Sequence, residues 1–139
     1  MATTTATLTL TSDAMSGNAI SISKSMNMHK LASATGLEEA TGLSSKKFAA
    51  TSAVAIIEED EYTDTKASKI YMRNTGSSAT AFFYVAKHAS AAASTTTETI
   101  GKLYGGDWML IPYDGATNIT VAPSTTDDMT LEWMVFIEN

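Results

Sequence analysis

The residue types that do chemistry are few in this chain. There are two histidines, His29 and His88, and no cysteine. A zinc protease needs H-E-x-x-H on one helix face, and a cupin-type metal site needs two close histidines followed by a glutamate. Neither spacing occurs around His29 or His88. A nucleophile, base and acid can come from anywhere in a chain, but Ser and Thr are so common here that one near a histidine carries no information. The lack of cysteine excludes disulfides and thiolate metal sites. The acidic run Glu58, Glu59, Asp60, Glu61 and Asp64 supplies carboxylate oxygens of the kind calcium takes. It lacks the D-x-[DN]-x-[DN]-G order, and a short acidic run reads as a solvated loop. The expectation is therefore no catalytic residue, no cofactor and no metal.

The stretch IGKLYGGDWMLIPYDGATNITVAPS, residues 100–124, has the look of a glycine-rich binding loop. A phosphate loop, however, needs G-x-x-x-x-G-K-[ST] between a strand and a helix. Here Asp107 follows Gly105 and Gly106, placing an anion where a phosphate would be repelled, and no helix passes through Pro112. Gly permits positive φ, and Asp114 with Gly115 is a second turn pair. The stretch predicts strand, turn, strand, turn, strand. Its aromatics, Tyr104, Trp108 and Tyr113, either form a platform on which a sugar stacks or cap a core or interface; the second is favoured. Asn118, Ile119 and Thr120 fit a glycosylation sequon, to which no meaning attaches without a secretory signal.

The elements that would position these residues are strands. Thr is abundant and its branched Cβ suits a pleated surface. Leu8 and Leu10 alternate with Thr7, Thr9 and Thr11, and Ile20, Ile22, Met26 and Met28 alternate with Ser and Asn. Lys24 breaks that second apolar face, which places it near a strand end or at a bulge. Residues 31–45 repeat an A-T-G-L phrase and predict a loop with at most one helical turn around residues 37–40. The run at 46–57 tips toward strand through Val54, Ile56 and Ile57. A strand through Ile70 and Met72, turn residues at 74–78 and a strand at 82–85 make a hairpin signal. Strands follow at 107–113, 117–122 and 129–138. The last carries Leu131, Trp133, Val135 and Ile137 on one face and Met134 and Phe136 on the other. The fold class expected is all-β, an antiparallel β-sandwich or jelly roll of about eight strands with little helix. Its core is expected to contain Ile22, Ile70, Phe82 or Phe83, Val85, Leu110, Ile119, Val121, Leu131, Trp133 and Val135.

A chain of 139 residues is most simply one domain. Its net charge of −6, with the basic residues scattered and only Lys46 and Lys47 adjacent, argues against nucleic acid. No apolar run approaches the ~20 residues of a membrane helix, so no membrane partner is expected. Charged residues are 17% of the chain, against ~25% in ordinary domains. A surface so poor in charge tolerates contact with other protein.

KIYMRNT at 69–75, IGKL at 100–103, GDW at 106–108, LIP at 110–112 and LEWMVF at 131–136 together resemble the small accessory virion proteins of tailed bacteriophages. The resemblance covers the C-terminal half. It implies a β-rich capsid decoration or cement protein, located in the virion, whose partners are the major capsid protein and further copies of itself, as a trimer. The alternative is a carbohydrate-binding tail or fibre domain for host attachment. Leu8, Leu10, Tyr104, Trp108, Tyr113, Met134 and Phe136 are the candidate interface residues. Residues 1–11 are expected to act as an arm, with no early partner strand in their own chain, that pairs with a neighbour.

Overall fold

The computed structural model describes residues 4–12, 19–28, 37–59, 61–62, 67–88 and 99–138, and gives Glu38, Ala67 and His88 as backbone alone. His29, Asp60, Asp64 and the side chain of His88 therefore lie outside the described residues.

The described chain is all-β and antiparallel, without helix. Its eleven strands are β1 (Thr5–Ser12), β2 (Ile20–Asn27), β3 (Leu37–Ala40), β4 (Ser44–Phe48), β5 (Val54–Ile57), β6 (Ala67–Asn74), β7 (Phe82–His88), β8 (Thr99–Tyr104), β9 (Trp108–Tyr113), β10 (Asn118–Pro123) and β11 (Met129–Glu138). They form three sheets: the pair β1-β2, a four-stranded sheet in the order β5-β10-β7-β8, and a five-stranded sheet in the order β3-β11-β6-β9 in which β4 also pairs with β11. The ten residues of β11 are long enough to take β4 along Met129 to Trp133 and β3 along Phe136 to Glu138 on the same edge.

The two larger sheets share one buried cluster. Ile70, Met72, Tyr113, Leu131, Val135 and Phe48 come from the five-stranded sheet; Ile57, Phe83, Val85, Leu103, Ile119 and Val121 come from the four-stranded sheet. Successive strand residues point to opposite faces, so alternate positions of β6, β7, β10 and β11 enter this cluster. Phe48 and Phe83 meet across it edge to face, with centroids 5.3 Å apart. Of the expected core, Ile70, Phe83, Val85, Ile119, Val121, Leu131 and Val135 are buried. Trp133 is half-buried against the cluster.

Several expectations are corrected. The strands among the described residues number eleven rather than about eight. Residues 37–40 are a strand and not a helical turn, because the end of β11 offers them a ladder. The apolar run at 46–57 divides between β4 and β5, which lie in different sheets. Lys24 sits mid-strand opposite Leu8 in unbroken register, with no bulge. Residues 5–12 do have a partner in their own chain, since β1 pairs with β2 along its whole length. Ile22 leaves the core list because it lies on that hairpin, 42% exposed. Leu110 leaves it because the parity of β9 sends Met109, Ile111 and Tyr113 inward and Leu110 outward.

The expected hairpin at 69–85 is also absent. β6 and β7 belong to different sheets, and residues 75–81 carry the chain across. A second crossing, residues 105–107, runs beside the first and connects β8 to β9. Three backbone bonds tie the crossings together. Gly105 N–H donates to the Ser78 carbonyl (3.1 Å), Gly106 N–H to the Asn74 carbonyl (3.0 Å), and Asn74 N–H to the Asp107 carbonyl (3.0 Å). Asn74 is 1% exposed. Its amide donates to the Leu103 carbonyl at 3.0 Å and its Oδ1 accepts from Gly76 N–H at 3.0 Å.

Candidate interaction surface

The glycine pair of the 100–124 stretch is a sheet-to-sheet corner. A Cβ on Gly105 would lie 2.6 Å from Ser78 N and 2.7 Å from Ser78 O, and Gly106 has φ +86°. Asp107 closes the turn: its N–H donates to the Tyr104 carbonyl, and its Oδ2 accepts from Tyr104 N–H, both at 2.9 Å. The strand, turn, strand, turn, strand reading therefore stands, with the first turn joining two sheets. The motifs at 69–75, 100–103 and 106–108 meet at this corner, where Asn74, Leu103, Gly106 and Asp107 bond to one another. Their residue types are set by the crossing and by its lack of room.

The three aromatics of the stretch do not form one platform. Tyr113 is 6% exposed in the core, where its hydroxyl donates to the Thr117 carbonyl at 2.9 Å. Burial, then the neighbouring Asp114 carboxylate, pushes its phenol up to about 12. Tyr104 lies on the outer face of the four-stranded sheet beside Phe82, whose ring centroid is 5.0 Å away, while the Lys102 ammonium sits over Phe82. Trp108, 53% exposed, lies on the outer face of the five-stranded sheet. Its neighbours there follow from register. Arg73 stands opposite Trp108, Tyr71 opposite Leu110, and across β6 Met134 stands opposite Tyr71. Phe136 is opposite Lys69, which is ion-paired to buried Glu138. The outer face thus carries an apolar band of Leu110, Tyr71, Met134 and Phe136, all half-buried, ending at Trp108.

The β1-β2 hairpin is the second open apolar surface. Its register places Ala6 opposite Met26, Leu10 opposite Ile22 and Ser12 opposite Ile20, so these side chains and Leu8 share one face. The other face is Thr and Ser, with Thr5 bonded to Asn27 (3.1 Å) and Thr7 to Ser25 (2.9 Å). Leu8, Leu10, Ile20, Ile22 and Met26 are each 42–49% exposed. Between the hairpin and β9 lies a groove of about 620 Å³ lined by Leu8, Leu10, Lys24, Met26, Trp108 and Leu110 among others.

Of the candidate interface residues, Leu8 and Leu10 on the hairpin and Trp108, Met134 and Phe136 on the sheet lie on these two open faces. Tyr104 faces outward from the other sheet, and Tyr113 is internal. Ile20, Ile22, Met26, Tyr71 and Leu110 belong with the open faces and were not among the candidates. The alternation around 20–28 did show a two-faced strand; what it could not show was that the described residues leave the apolar side largely open.

Among the described residues no three His, Asp or Glu side chains come together as a metal site. Glu58 and Glu61 form a turn in which Glu61 N–H donates to the Glu58 carbonyl. No protein-family model matches the chain, and no curated protein sequence matches it.

Proposed function

We propose that this chain is a structural virion protein that decorates and stabilises a tailed-phage capsid by binding the major capsid protein lattice. The observation that carries this reading is the pair of open apolar faces, one on a hairpin that packs closely on no other strand and one on the outer side of the five-stranded sheet. Contiguous exposed apolar surface of this kind marks sites of association with other protein. The low charge of the chain and the phage-protein resemblance of its C-terminal half agree with it. In this reading the two larger sheets are the layers of a β-sandwich, the body is a rigid block and the hairpin an arm. The protein acts in the virion as a homo-oligomer, a trimer by the same resemblance, and is no enzyme.

The test is sedimentation of the purified protein with shells assembled from the capsid protein of the same genome. Saturable co-sedimentation is expected, and weaker binding by Leu8→Asp. A protein that stays in the supernatant at every ratio contradicts the proposal. A second reading, a carbohydrate-binding tail or fibre domain, is favoured by one feature: exposed Trp108 shares a shallow depression with Tyr71 and Arg73. Glycan binding abolished by Trp108→Ala would establish it.

A further inference from the structure

Two apolar surfaces in one chain, each of which needs what the other offers, bear on how copies meet. We infer that the apolar face of the β1-β2 hairpin seats on the outer face of the five-stranded sheet of a second copy. A lone two-stranded hairpin is at best marginally stable in water. This one keeps eight-residue strands while Leu8, Leu10, Ile20, Ile22 and Met26 remain open. Such a face calls for a cover. The band of Leu110, Tyr71, Met134 and Phe136, ending at Trp108, is an apolar strip of matching kind, half-buried along its length and faced by the chain's own hairpin at Trp108 and Leu110.

Charge permits the match. Lys24 is the one charged side chain on the described hairpin face, and it has no ion pair among the described residues. Glu132 lies on the sheet's outer face, one row from Met134 and opposite Arg73 on β6, and neither of these two has an ion pair among the described residues. A lysine set amid an apolar face is costly to cover unless an opposite charge meets it; on the sheet Glu132 offers that charge and Arg73 beside it competes for the same carboxylate.

The hairpin's own sheet does not satisfy it. Within one chain the hairpin faces only Trp108, Met109 and Leu110 across the 620 Å³ groove, and Tyr71, Met134 and Phe136 are not reached. Exchange between copies gives each arm a whole face. An eight-residue hairpin covers roughly 27 by 10 Å, on the order of 270 Å². Two arms exchanged reciprocally remove about four such faces, near the ~1,000 Å² that a specific interface needs. A single open contact removes half of that and leaves one arm and one sheet face bare; closure, as a reciprocal pair or as a ring, uses every arm and every face. This holds for any assembly the chain enters, and so stands apart from shell binding.

The absence of cysteine makes the test clean. Leu10→Cys and Trp108→Cys are prepared as separate full-length variants, mixed, and mildly oxidised. A mixed disulfide dimer is expected to dominate, and to be scarce when Thr9→Cys, on the polar face, replaces Leu10→Cys. Sedimentation velocity of the unaltered chain should show a closed oligomer that Leu8→Asp with Ile22→Asp converts to monomer while the circular dichroism spectrum stays the same. Three results each overturn the inference: a monomeric unaltered chain at the highest concentration reached, Leu10→Cys dimers forming in preference to mixed ones, or a chain carrying both cysteines that links only within itself. Shell binding by a monomer would sink this inference and leave the proposed function intact; a closed oligomer that ignores shells would do the reverse.

Discussion

At the scale of single residues the corner around Asn74 and Gly105 is the most demanding point of the fold. The atoms a Gly105 Cβ would strike are backbone atoms of Ser77 and Ser78, which cannot swing aside. Gly105→Ala should therefore lower stability by about 2–3 kcal/mol, as overpacking does, read as a fall in the denaturant midpoint. Gly106→Ala meets open space and only the left-handed backbone, and should cost less, about 1–2 kcal/mol. Asn74→Ala leaves the Leu103 carbonyl without its donor and should cost about 1–3 kcal/mol. Tyrosine ionisation gives a further check. Tyr113 and Tyr62 are both raised to about 12, Tyr113 by burial and then Asp114, Tyr62 by burial and then Glu61. The folded chain holds these protons more tightly than the unfolded one, so their stabilisation is complete below pH 10 and is lost as pH rises through about 12. Near-ultraviolet absorbance, with Tyr62→Phe and Tyr113→Phe to assign the signals, should show Tyr62 and Tyr113 ionising near pH 12 while the chain stays folded.

At the scale of elements, strands were legible wherever one side meets the core and the other does not. β11 is the clearest case: Leu131, Val135 and Ile137 face in, Met134 and Phe136 out. β9 was less legible because both of its parities are apolar, and only the packing decides that Met109 and Ile111 face the core in place of Leu110. β3 was illegible, since four residues reading LEEA become a strand only when the end of β11 is beside them. The 69–85 hairpin signal misled because turn residues mark a change of direction without saying whether the next strand joins the same sheet. The candidate site was half legible. Leu8, Leu10 and Trp108 were found by alternation and position, whereas Ile22 was assigned to the core because amphipathicity does not say what covers the apolar side. The elements should also differ in stability. Local opening is cheapest where few apolar contacts cross to neighbours. In the hairpin, amides should exchange orders of magnitude faster than those of β6 and β10 in the absence of partners. Leu131→Ala, in the shared cluster, should cost about 2–5 kcal/mol; Leu8→Asp should leave the thermal midpoint of the monomer nearly unchanged.

At the scale of the whole molecule, a well-packed two-sheet body carries a hairpin whose apolar side the described residues leave 42–49% exposed. A chain of this size has enough side chains to bury a core, and here Phe48, Phe83 and the aliphatic strands do so. In the proposed function the open hairpin and the outer sheet face are the surfaces that neighbours complete. The most direct measurement is a cryo-electron microscopy map of particles from the genome that encodes the chain. The account predicts copies repeated with the symmetry of the shell on its outer face, each hairpin lying across a neighbouring five-stranded sheet. Density for this chain confined to tail-fibre tips, or particles that contain none of it, would contradict the account.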